Sequence, residues 1–191
     1  MYCVRILRVN DKNVLVLASN SPRRKQLLAL GNWNFVVNVA DIDETQRTGE
    51  TPKEYVLRLA QEKALAVKDK ANVENIIIGS DTTVVVDDTI LGKPIDAQEA
   101  EKMLKQLRGR THQVYTGIAL YRVQDGKMLT ELSITDVPMR DYSDDEIRAY
   151  IETGDPMDKA EEYANQHPDF QPDHSMQECY ACVMGFSIFD V

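Results

Sequence analysis

The apolar run Val14-Leu15-Val16-Leu17-Ala18 meets Ser19-Asn20-Ser21-Pro22 with no spacer between them. Such a run, bounded by polar residues, reads as a buried strand. Serine at an N-cap followed by proline at the first helical position starts a helix. The chain must therefore pass from strand to helix through a very short turn. That junction leaves free helical N–H groups at the start of the helix. Arg23 and Arg24 then fall in the first helical turn. The positive end of the helix dipole disfavours cations there unless an anion comes to the spot. With the hydroxyls of Ser19 and Ser21 they make either a phosphate cradle or an ordinary capped surface helix.

Further along, Gly31 ends this helix, residues 34–39 read as a second strand, and Asp41 to Glu50 form an acidic, polar loop. Thr51-Pro52-Lys53-Glu54 is a capping box that predicts a helix to about Lys68. Asn75 to Ile78 reads as a strand closing in the turn Gly79-Ser80-Asp81, followed by a hairpin of 82–86 and 89–91 around Asp87-Asp88. Asp96 caps a helix over 97–107, two longer strands run near 113–123 and 128–140, and Ser143 opens a helix to about Thr153. Strands alternate with helices early and pair as hairpins later. The expectation is one α/β domain over residues 1–191, with a mixed sheet flanked by helices.

The 191 residues carry a formal net charge of -9. That balance argues against stable association with nucleic acid or an anionic membrane surface. No apolar stretch approaches the ~20 residues that span a bilayer, and no signal-peptide pattern opens the chain, so the cytoplasm is the expected compartment. Cys3, Cys179 and Cys182 are too few for a disulfide framework. Cys179-Tyr-Ala-Cys182 has C-x-x-C spacing with His167 and His174 upstream. Yet Tyr180 to Phe189 reads as a strand, where residues three apart face opposite ways, which argues against a zinc or redox site.

Four residues break the local pattern. Lys63 falls inside the apolar arc of Val56, Leu59, Ala60, Ala64 and Val67, so it snorkels at the helix end or points into a cleft. Asp81, placed at a strand end, suits a general base or a cation ligand, or else a simple Asx-turn. Lys93, between Gly92 and Pro94, is either aimed by the proline or an ordinary turn lysine. Glu44 belongs to the acidic loop and is either solvated or part of a site. Thr116-Gly117 brings backbone close to a ligand or marks a bulge, and His112 reads as structural. Cations at 23, 24, 63 and 93 with carboxylates at 44 and 81 match the needs of a polyphosphate and a divalent metal.

Taken in order, these pieces resemble the Maf family of nucleotide pyrophosphatases. They are L-A-S-N-S-P-R-R at 17–24, I-D-E at 42–44, Q-E-K-A at 61–64, G-S-D-T at 79–82, L-G-K-P at 91–94, T-H-Q-V-Y-T-G at 111–117 and P-M-D-K-A at 156–160. The resemblance runs from about residue 14 nearly to the end. It implies a strongly twisted sheet in two lobes around a deep nucleotide groove, in a homodimer that hydrolyses nucleoside triphosphates to monophosphate and pyrophosphate. It also implies a divalent cation, Mg, Mn or Co, held by Glu44 and Asp81. By the same analogy Asp81 activates water, Lys63 and Lys93 neutralise shifting charge, and Ser19, Ser21, Arg23 and Arg24 hold phosphate.

Thr82, Arg23 and Gln166 resemble the subgroup acting on dTTP and UTP, a carboxamide such as Gln166 suiting the imide edge of a pyrimidine. The 7-methyl-GTP subgroup, which usually has Gln at the position of Thr82, ranks second. A nucleotide-sensing or division-linked protein without turnover is the reading from a different class. The C-terminal third departs from the family. Glu161-Glu162-Tyr163 stands where Gly-x-Tyr is usual, and two glutamates near a phosphate groove would repel an anionic substrate.

Overall fold

The computed structural model describes residues 14–154. Gln166, Cys3, Cys179, Cys182, His167, His174 and the P-M-D-K-A segment lie outside these residues. The order is β1 (Leu15–Leu17), α1 (Pro22–Leu30), β2 (Phe35–Val37), α2 (Pro52–Ala66), β3 (Ile76–Val86), β4 (Thr89–Leu91), α3 (Ala97–Leu107), β5 (Thr111–Arg122), β6 (Lys127–Pro138) and α4 (Asp144–Glu152). The sheet is mixed, as expected. It runs β2-β1-β3-β5-β6, with β1 parallel to β2 and β3, and the other pairs antiparallel.

Local chemistry explains most boundaries. Ser21, Thr51, Asp96 and Ser143 each cap their helix by accepting a backbone N–H, and Thr51–Glu54 and Ser143–Glu146 form complete capping boxes. The β3–β4 turn holds Asp87 and Asp88 at φ 49° and 59°, the left-handed pair that a tight hairpin requires.

One expectation is overturned. Gly79-Ser80-Asp81 is not a turn, and Asp81 does not end a strand. Residues 76–86 form one continuous, fully buried strand with Asp81 at its centre. Glycine, serine and aspartate carry local turn chemistry, but here β5 pairs along residues 76–85 and holds the segment extended.

The opposite edge of β3 is divided. β1 pairs with residues 76–78 and β4 with residues 84–86. Between them, residues 79–83 face a notch where the C-terminal end of β1 stops short of β4. The C-terminal end of β1 thus lies against the middle of β3.

Two faces of the sheet are packed differently. Leu27 and Leu28 of α1 pack on Leu15, Leu17, Ile76, Ile78 and Ile118, whereas Ala60 and Ala64 of α2 pack on Val16, Ala18, Ile77 and Ala119. Alternation along the strands thus puts α1 and α2 on opposite faces. α3 and α4 share the α1 face through Leu104, Leu107, Ile147 and Tyr150 against Val84, Val86, Val114 and Val137. Each fully buried Leu or Ile contributes roughly 1.5–3 kcal/mol, so these clusters supply the rigid frame.

Gly117 was expected either to approach a ligand or to mark a bulge. It does neither. Its register with Asp81 and Leu132 is unbroken, and its bare Cα lies under α2, where a Cβ would come within 2.5 Å of the Val56 carbonyl oxygen.

Candidate active site

Lys63 occupies the sheet-facing side of α2, so its cleft orientation is realised and the snorkelling alternative is not. Its Nζ lies 2.6 Å from Asp81 Oδ1 and 2.9 Å from Glu44 Oε1. The Asp81 side chain is 4% exposed, Lys63 12% and Glu44 57%, so the three run from the interior to the surface. Burial favours the neutral Lys63 amine, but the charges and hydrogen bonds of Asp81 and Glu44 outweigh it and raise its pKa. Burial raises the pKa of Asp81 from its ordinary value, with Lys63 and Arg24 opposing it and Glu44 adding to it. A carboxylate so shifted takes up a proton more readily than one in water.

On the other face stands Arg24, itself buried at 6% exposure. Its Nη1 donates to Ser19 Oγ at 3.2 Å and its Nη2 to Thr82 Oγ1 at 3.1 Å. Thr82 Oγ1 also lies 3.2 Å from Thr116 Oγ1. The cation in the first turn of α1 is thus held by hydroxyl oxygens rather than solvated. Ser19 Oγ further accepts from the Ser21 N–H at 3.2 Å, and Ser21 Oγ from the Arg24 N–H at 3.5 Å, which knits the β1–α1 turn together.

The structure therefore brings Glu44, Lys63 and Asp81 together on the α2 face, and Ser19, Ser21, Arg24 and Thr82 together on the α1 face. Both groups border the notch, since Asp81 and Thr82 are neighbours in β3. Arg24 is near enough to lower the pKa of Asp81 across the sheet. Arg23 is half-buried in the same helical turn. Lys93 is exposed and bonded to none of the charged groups described. It follows Leu91, the β4 residue paired nearest the notch, by two positions.

Among the described residues, no group of three or more His, Cys, Asp or Glu side chains is placed to hold a metal ion. Glu44 and Asp81, each within hydrogen-bond reach of one ammonium, form a two-carboxylate donor set. That suits a hard divalent cation completed by phosphate oxygens and water, not an all-protein cage. No described helix is long and apolar enough to cross a membrane.

Arg58, Glu50 and Tyr55 also shape this region and carried no signal of it. Only the i,i+4 spacing of Arg58 and Glu62 was visible in the chain. Their partners across the 41–50 segment depend on the folded path.

The chain is thus an α/β protein with a mixed sheet, carrying a buried lysine–carboxylate pair on one face and a buried arginine on the other. Residues 14–191 match the family described as Maf-like protein, and the chain belongs to that family. It is 41% identical over 180 residues to the dTTP/UTP pyrophosphatase of Geotalea uraniireducens (strain Rf4), covering 94% of this chain and 92% of that protein. It is 42% identical over 173 residues to that of Bacillus cytotoxicus, covering 91% and 89%, and 45% identical over 156 residues to that of Myxococcus xanthus (strain DK1622), covering 82% and 78%.

Proposed function

We propose that this chain is a nucleoside triphosphate pyrophosphatase that hydrolyses dTTP and UTP to the monophosphate and pyrophosphate. The observation that carries the reading is the Lys63–Asp81 pair at 2.6 Å, buried beside the notch at the end of β1. The names of the relatives supply the substrate class.

In this reading Asp81 accepts a proton from water as its oxygen bonds to phosphorus, and the α–β phosphoanhydride bond breaks with pyrophosphate leaving. The raised pKa of Asp81 suits it to that base role. Lys63 lies against the same carboxylate and stabilises negative charge gathering on the phosphate oxygens. Ser19, Ser21, Arg23 and the N-terminus of α1 hold the phosphate tail, with Arg24 fixing the turn and adding positive potential. Lys93 meets the leaving pyrophosphate from the β4 side. A divalent metal, when bound, would be held by Glu44 and Asp81 and supply charge neutralisation to the phosphates. Gln166 is assigned to the base, where its amide matches the donor and acceptor pattern of an imide.

Pyrophosphate release from a panel of canonical and 7-methylated triphosphates, with Mg or Mn, tests this. The reading expects dTTP and UTP to rank first and Asp81→Asn to lose at least about a thousandfold in kcat. Equal, negligible release by wild type and Asp81→Asn, with nucleotide binding retained, would leave a nucleotide-sensing protein instead.

A further inference from the structure

Arg58 has no part in the chemistry above, yet it is bound on every side. Its Nε and Nη2 grip Glu50 at 2.5 and 2.8 Å, Nη2 donates to the Thr45 carbonyl at 3.1 Å, and Nη1 meets Glu62 at 3.1 Å. Its guanidinium lies 5.6 Å from the centre of the Tyr55 ring. Tyr55 in turn donates its hydroxyl to the Glu44 carbonyl at 2.9 Å. Two stacked side chains of α2, three residues apart, thus hold the backbone carbonyls of two consecutive residues, Glu44 and Thr45.

This matters because residues 41–47 contain no helix or strand to order them. The contact from Glu44 to Lys63 is more than half exposed on the Glu44 side, and an exposed ion pair alone is too weak to order such a segment. The Arg58–Glu50 pair is different: both side chains are nearly buried, at 12% and 8% exposure, and joined by two prongs. Glu50 also accepts the Arg47 N–H at 3.0 Å, closing the far end of the segment.

We propose that Arg58 is a positioning residue, whose clamp on Glu50 and on the Thr45 carbonyl fixes the 41–50 segment over α2 so that the Glu44 carboxylate stands on Lys63. The proposal rests on the pyrophosphatase reading for its effect on turnover. Lysine cannot replace Arg58, because a single ammonium lacks the planar fork that reaches a carboxylate and a carbonyl together.

A double-mutant cycle in the full-length chain tests it. Arg58→Lys is expected to lower kcat for dTTP about tenfold, and to change it less than about twofold when Glu44 is already Gln. Equal losses in both backgrounds overturn the proposal. Should Arg58→Lys fail to fold, Tyr55→Phe removes only the hydroxyl on the Glu44 carbonyl and should lose about threefold, with the same cancellation. A second readout needs no activity: amide hydrogen exchange at Thr45 and Arg47, whose N–H groups are bonded within the segment to Asp43 and Glu50, should speed up at least about fivefold in Arg58→Lys. Unchanged exchange overturns the assignment even if the wild-type chain releases no pyrophosphate, a result that would sink the pyrophosphatase reading separately.

Discussion

Gly79 passes directly beneath Ala60, so close that a Cβ on the glycine would lie 2.0 Å from the Ala60 carbonyl oxygen and 2.8 Å from the Ala64 amide nitrogen. Gly117, the cross-strand partner of Asp81, meets Val56 in the same way. These two bare positions let α2 lie against the sheet at backbone contact. Lys63 is three residues beyond Ala60, and Asp81 two beyond Gly79. The 2.6 Å ion pair is therefore set by how closely a helix can approach a strand.

Gly79→Ala should accordingly lift α2. Backbone atoms cannot yield as a flexible side chain can, so we expect a loss of about 3 kcal/mol in unfolding free energy, at the upper end for overpacking. We also expect a fall in kcat that exceeds any change in KM. Denaturant unfolding and steady-state kinetics on the same preparation check both. Full stability with normal turnover would contradict the close-approach account.

Lys63→Met keeps the length of the side chain and removes the charge that faces buried Asp81. Breaking a buried pair on one side costs about 3–5 kcal/mol, so a measurable loss of stability is expected alongside lost turnover. The loss should depend on pH. Without Lys63 the folded pKa of Asp81 rises further above its unfolded value. The folded variant then keeps a proton that the unfolded chain has released, and its stability falls as pH rises through that window. Thermal unfolding at pH 5 and pH 8 should show the variant much closer to wild type at the lower pH.

Thr82→Val deletes the hydroxyl that Arg24 and Thr116 share while keeping the shape. It removes the hydroxyl oxygen to which Arg24 Nη2 donates, at a cost of about 1–3 kcal/mol. Thr82 is buried at 2% exposure, and the charged side chain its hydroxyl meets is Arg24. We expect KM for dTTP to rise several-fold with kcat less affected. An unchanged KM would detach Thr82 and Arg24 from phosphate binding.

His112 gives an acid-side test remote from the notch. Burial pulls its pKa from 6.5 down to about 4. A neutral histidine held below its unfolded pKa contributes stability that is complete above pH 6.5 and lost as pH falls towards 4. The loss is roughly 3 kcal/mol at most. In His112→Gln, unfolding free energy measured across that window should fall less steeply, by up to one proton.

How much of this was readable beforehand follows from the range of the interactions involved. Helix starts at Ser21, Thr51, Asp96 and Ser143 are decided within four residues, and all four stand where their caps indicate. Lys63 was identifiable because helical periodicity placed it among apolar neighbours. Glycine at 79 and aspartate at 81 misled, because their reason lies in α2 and β5, distant in sequence. Glu44 could be read from the chain only as solvated or part of a site, since its contact with Lys63 joins residues distant in sequence. The exposure of Lys93 was equally invisible, as proline restricts the backbone before it without saying where the ammonium goes.

Asp81 and Thr82 are consecutive, so the carboxylate that meets Lys63 and the hydroxyl that meets Arg24 are separated by the thickness of one peptide. Inserting a single residue between Ile78 and Ser80 would shift the register by one, presenting Lys63 with the Ser80 alcohol and Arg24 with the Asp81 acid while altering composition by one residue. In this stretch, count constrains drift more tightly than chemistry: a substitution costs one contact, but a frame slip inverts the wall.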